Sequence, residues 1–76
     1  MERRREAYEV NLKVGRLIRK LREQAEMSQA EIAEILGLDS SSVSRIENGQ
    51  QGVYLDSLLV LARQFNVSPK YFLEGL

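Results

Sequence analysis

The chain has 76 residues, room for one small domain, with eleven Lys/Arg, eleven Asp/Glu and a formal net charge of zero. It contains no cysteine and no histidine, which excludes disulfides, thiolate zinc sites, Cys–His nucleophiles and histidine-based triads. No apolar run approaches the roughly 20 residues of a membrane span, and "MERRREAYEV" lacks a signal peptide's apolar run, so the expectation is a cytoplasmic protein that is not an enzyme and takes no metal or cofactor.

The zero total hides an asymmetry. Residues 1–26 carry eight Lys/Arg against five Glu, and residues 27–76 carry three basic against six acidic side chains. A basic footprint for nucleic acid, if there is one, must be local.

Apolar residues recur at helical spacing almost throughout. A first helix is predicted over about 10–25, with Val14, Ile18, Leu21 and Ala25 on one face and Leu17 widening it. Residues 1–10 are set apart as an N-terminal extension of a domain at 11–76. Arg3, Arg4 and Arg5 there have the composition of an arm for phosphates or a minor groove. Glu2, Glu6 and Glu9 interleave with them and cancel their charge, which favours a solvated continuation of the first helix.

"SQAE" at 28–31 reads as a capping box that starts a second helix over about 29–36, with Ile32, Ala33 and Leu36 inward. Gly37 suits the left-handed residue that ends a helix. Leu38 tucks in, and Asp39 caps a third helix over about 40–47. Gly49 and Gly52 mark a loop. A fourth helix over about 54–65 is predicted to bury Leu55, Leu58, Leu61 or Leu59, Ala62 and Phe65. "NVSP" breaks the chain, with Ser68 as cap and Pro69 at the first position of a short fifth helix. Phe72 closes the core. The predicted class is all-α, with five short helices.

The third helix, "SSSVSRIE", is mostly small hydroxyls. On a helical wheel Val43 and Ile46 define its buried direction. Ser41, Ser44 and Arg45 then point away, with Ser40, Ser42 and Glu47 on the flanks. Exposed serine and arginine are ordinary on any surface helix. Small side chains, however, let a helix backbone approach a surface closely. Arginine adds the fork that matches guanine O6 and N7. Two short helices joined through Gly37 also form a helix–turn–helix, whose second helix enters a groove.

"VGRLIRKLREQAEMSQAEIAEILGLDSSSVSRIENG" resembles the phage-repressor class of helix–turn–helix proteins, also called lambda-repressor-like or xenobiotic-response-element proteins. The similarity continues through "LDSLLVLARQFNVSPKYFLEG" and covers about residues 12–75. It implies a five-helix fold, with helices two and three as the reading unit, that binds palindromic operators as a dimer. By position it implies that Ser40, Ser41, Ser44 and Arg45 read bases. Ser42 and Asn48 match backbone-contacting positions, and Gln29 matches a position that contacts phosphate and braces helix three. The class often has long polar residues where this chain has Ser40 and Ser41, so direct readout there would be weak or carried by water. The loop "GQQGVY" lacks the usual basic residue and proline, which leaves its phosphate grip to Gln50, Gln51 or backbone N–H groups.

The resemblance also implies a partly buried Arg22–Glu47 salt bridge that fixes the reading helix. It places a small two-fold contact near Tyr71 and Leu76, with Val53 or Tyr54. The resulting expectation is a transcriptional regulator, a repressor-like homodimer on double-stranded DNA with no small-molecule ligand. An antitoxin and a restriction–modification controller protein share the pattern. A protein-interaction module without DNA binding is the alternative of another class, supported by net neutrality and by Glu31 and Glu34 on helix two. The chain ends flush with the domain, as a small regulator or a fragment of a longer one would.

Overall fold

The computed structural model describes the backbone of residues 2–76 and the side chains of residues 4–76. Four α-helices and one 3₁₀ segment follow in order: α1 (Glu2–Gln24), α2 (Gln29–Leu36), α3 (Ser40–Glu47), α4 (Leu55–Gln64) and 3₁₀ Pro69–Leu73. No strand occurs among the described residues.

α1 starts well before the predicted 10–25, in the solvated continuation that the interleaved Glu and Arg of the extension favour. It continues unbroken through the N-terminal extension, where residues 4–10 are all exposed. From Asn11 onward it meets the body, most deeply through buried Val14, Ile18 and Leu21 at helical spacing. Ala25, predicted inward, is exposed. The helix ends at Gln24, Glu26 takes a left-handed φ of 56°, and Met27 N–H bonds back to Arg22 O at 3.0 Å. Met27 then packs on the core where Ala25 would have been.

α2 starts in a closed capping box. Ser28 Oγ accepts from Glu31 N–H at 3.1 Å, and Ser28 N–H donates to Glu31 Oε1 at 2.9 Å. It ends at Gly37, whose φ of 69° costs a glycine little, and Leu38 N–H caps Ala33 O at 2.8 Å. α3 begins at once on Asp39, whose Oδ1 accepts from Ser42 N–H at 2.8 Å.

One core joins Val14, Ile18 and Leu21 of α1, Ile32 and Ala33 of α2, Val43 and Ile46 of α3, Leu61 and Ala62 of α4, and Phe72. α3 packs against both α1 and α2. Gly15 makes its approach to α1 possible, because a Cβ there would collide with the Ile46 carbonyl oxygen.

Two further readings are corrected. Leu55 was predicted to be buried, yet it is 73% exposed. It points with Ala62 on the wheel but is the first residue of α4, beyond the reach of the packed body. Leu59 is exposed too, and Leu61 takes the inward position. The fifth helix is a 3₁₀ turn rather than an α-helix. Tyr71 N–H bonds to Ser68 O three residues back, at 2.9 Å, and the segment stops after five residues, as the poorer hydrogen-bond geometry of a 3₁₀ helix keeps such runs short. Its purpose in the fold is to place Phe72, fully buried and met edge-on by Tyr71 at 5.5 Å.

Candidate nucleic-acid interface

The outward surface of α3 and the loop behind it form the candidate site. Ser40, Ser41, Arg45, Asn48 and Gln50 are exposed, while Ser42, Ser44 and Gln51 are half-buried. The wheel placed Ser44 among the residues pointing most directly outward and Glu47 on a flank. Glu47 is instead 3% exposed. Its burial widens the inward sector set by Val43 and Ile46 and leaves Ser44 at the edge.

Glu47 is buried where α1 and α2 converge on the end of α3. Arg22 of α1 forks onto it, Nε donating to Oε2 at 2.7 Å and Nη2 to Oε1 at 3.0 Å. Gln29, the first residue of α2, adds Nε2 to Oε1 at 3.1 Å. Arg22 Nη1 also donates to Met27 O at 2.9 Å, just ahead of α2. The hydrogen bonds to Glu47 raise the Arg22 pKa above its ordinary value, against the opposing pull of burial. A charge-assisted, bidentate clamp thus ties the last residue of α3 to α1 and to the start of α2. It fixes the angle at which α3 is presented.

A second polar network runs over the outer face. Arg45 Nε donates to Gln51 Oε1 at 2.8 Å, and Arg45 Nη2 donates to Ser42 Oγ at 3.1 Å. Ser41 Oγ donates to Asp39 Oδ1 at 2.9 Å. The Asp39 carboxyl is held below the usual range, first by the Ser42 backbone N–H and then by the Ser41 and Ser42 hydroxyls, with the Arg45 charge adding to the effect. The structure therefore joins Ser41, Ser42, Arg45 and Gln51 around Asp39. It sets Gln29 apart, beside Glu47.

The C-terminal candidates are more scattered in character. Tyr54 and Leu76 are exposed, Val53 and Tyr71 half-buried. Leu59, Val60 and Leu73 add exposed apolar surface to α4 and the 3₁₀ segment. Arg4 and Arg5 are exposed on the first turns of α1; the Arg3 side chain lies outside the described residues. Lys13 Nζ donates to Gly75 O at 3.1 Å and ties α1 to the chain's last residues. No group of acidic side chains among the described residues is arranged to hold a metal, and no described helix is long and apolar enough to cross a membrane.

Sequence reasoning missed one contributor and one contact. Gly15 is inconspicuous in a helix, and only the α1–α3 crossing reveals its need. Gln51 was singled out for phosphate, but its hold on Arg45 depends on how the loop folds back.

Residues 18–72 match the family model described as helix-turn-helix. The uncharacterised HTH-type transcriptional regulator y4aM of Sinorhizobium fredii (strain NBRC 101917 / NGR234) is 33% identical over 75 residues, 99% of this chain and 52% of its own length. The chain spans about half or less of the length of the curated relatives it matches. Among solved structures, the restriction-modification controller protein C.AhdI from Aeromonas hydrophila superposes with a TM-score of 0.75 at 35% identity, over 86% of this chain and 94% of that one. The P22 c2 repressor protein, solved in complex with synthetic operator 9T, gives 0.72 at 27% identity, over 83% of this chain and 96% of that one.

Proposed function

Since the chain belongs to the helix-turn-helix family, we propose that it is a sequence-specific DNA-binding transcriptional regulator, a repressor that grips a two-fold operator as a homodimer. The observation that carries this reading is the pairing of a rigid mount with a donor-rich face. The Arg22–Glu47–Gln29 clamp fixes α3 from behind. In front, Ser40, Ser41 and Arg45 are exposed along one helix face. Short hydroxyls allow the α3 backbone to lie close to base edges, and Arg45 supplies the long fork for a guanine.

In this mechanism phosphate contacts position the domain and α3 reads sequence. Ser42, Asn48, Gln50 and Gln51 face one strand's backbone from α3 and the following loop. Gln29 reaches the other end of the unit, at the N-terminus of α2, where the helix dipole favours a phosphate. Ser44, at the edge of the buried sector, contacts a base only if α3 sits deep. Two copies joined through Tyr71, Leu76, Val53 and Tyr54 would set two reading helices about one helical turn of DNA apart.

A role as a restriction–modification controller is favoured by the likeness to C.AhdI and uses the same chemistry. A protein-only module is the opposing reading, supported by Glu31 and Glu34, which with Met27 and Ile35 line a shallow depression on α2. Selection of bound sequences from a random duplex library tests the proposal, read with a salt titration. A two-fold motif and a steep loss of affinity with salt support it. Enrichment of no motif, with no salt-dependent duplex binding, rejects it in favour of the protein-only module.

A further inference from the structure

We propose that Gln51, in the loop after α3, is a specificity-determining positioning residue that holds Arg45 for base reading and joins it to the phosphate grip. The inference rests on the DNA-binding reading above and goes beyond it. A loop residue six positions away is made part of the reading head.

The geometry carries it. Arg45 Nε donates to Gln51 Oε1 at 2.8 Å. A guanidinium has donors only, so the Gln51 amide must turn its oxygen toward Arg45 and its NH2 group away. Ser42 Oγ accepts from Arg45 Nη2 at 3.1 Å, while its hydroxyl is turned to the Asp39 carboxylate. Asp39, the nearest carboxylate, spends Oδ1 on Ser41 Oγ and Ser42 N–H. The two acceptors that face Arg45, Gln51 Oε1 and Ser42 Oγ, are thus used internally. The donors the network leaves unspent are the Gln51 NH2 and the Arg45 Nη1 group.

Such a surface suits a partner made of acceptors, as guanine O6 and N7 and phosphate oxygens are. Arg45 would otherwise be a long, freely rotating side chain on an exposed face. Anchoring its Nε and Nη2 along one edge leaves the guanidinium few orientations and keeps Nη1, with the second Nη2 hydrogen, as the end-on fork. Less rotamer freedom is then lost when a base is bound. One amide does two tasks: its oxygen aims the arginine, and its nitrogen is free for a phosphate.

Two variants separate the tasks. Gln51→Ala removes both, whereas Gln51→Glu keeps an acceptor for Arg45 but removes the donors and adds a charge that repels phosphate. NMR relaxation of the Arg45 Nε–H group in the free protein reads the anchoring without DNA. The wild type should show an ordered Nε–H. Gln51→Ala should make it as mobile as that of the exposed Arg16, and Gln51→Glu should keep it ordered. In selections from a random duplex library, Gln51→Ala should lose preference at the base pair that Arg45→Ala also loses, with affinity for the operator down roughly tenfold. Gln51→Glu should keep that preference while binding every duplex more weakly. A wild-type Arg45 Nε–H as mobile as that of Arg16 overturns the proposal, as does an unaltered motif in Gln51→Ala. A wild type that prefers no duplex overturns the DNA-binding reading itself, and the role in specificity falls with it.

Discussion

Arg22 and Glu47, 25 residues apart in sequence, form a bidentate ion pair in which the Glu47 side chain is 2% exposed and the Arg22 side chain 13%. The pair is a mount more than a source of net stability, because two charges taken from water recover little more than their desolvation. Its value lies in what it excludes. With Glu47 satisfied from α1 and α2 together, α3 has one orientation.

Breaking one side of the pair should therefore be costly. Arg22→Ala leaves a buried carboxylate with Gln29 as its only remaining side-chain donor among the contacts seen, and should destabilise the fold by about 3 kcal/mol. Chemical denaturation of Arg22→Ala, Glu47→Gln and the double variant measures the coupling. Additive losses would mean that the two residues do not act as a pair.

Gly15→Ala should also destabilise, by about 1–3 kcal/mol, although alanine is the better helix former. The added methyl meets the Ile46 carbonyl oxygen and the Glu47 backbone, neither of which is a flexible chain end. Thermal melting reads the loss. A variant as stable as the wild type would show that α1 and α3 can move apart freely, against a fixed mount.

The Asp39 cap has a definite pH signature. Its folded pKa lies below the ordinary aspartate value, so its contribution is present above the unfolded pKa and lost as pH falls through the folded one. Asp39→Ala should be less stable than the wild type at neutral pH, and the gap should close in acid. Melting curves across that range check it; a gap that stays constant would assign the loss to something other than the charged cap.

Assembly is tested most cleanly at an exposed position. Leu76 is 54% exposed, so Leu76→Asp leaves the core untouched. If a two-fold contact forms there, sedimentation should show weaker dimerisation, and operator binding should weaken with it. A variant as dimeric as the wild type would move the contact elsewhere, with the exposed Leu59 and Val60 of α4 next to be tried.

Features set by a few neighbouring residues were legible in the sequence. The Ser28–Glu31 box, the Gly37 stop and the Asp39 cap are all local chemistry, and each forms as read. The apolar spacing of α1 through α3 likewise identified the residues that meet in the core, apart from Ala25, which lies past the end of α1. What was not legible depends on where other elements end. Leu55 has the wheel position of a core residue and no neighbour at that end of α4. Ser44 turns partly inward because Glu47, a charged residue, is buried by partners 18 and 25 positions away. The continuation of α1 through residues 4–10 was legible from their interleaved charges rather than from apolar spacing, because all seven are exposed. The Gln51–Arg45 contact was not legible, since a loop must close before the two side chains can meet.

The central claim is that Arg45 reads a base rather than merely holding phosphate, and one variant decides it. Arg45→Ala is put through duplex selection and a salt titration side by side with the wild type. The account predicts a motif that loses preference at one base pair per half-site, with about 1–3 kcal/mol lost on the preferred operator and little change in salt slope. A selected motif identical to that of the wild type, with the slope flattened by about one unit per site, would contradict it and leave Arg45 a phosphate contact.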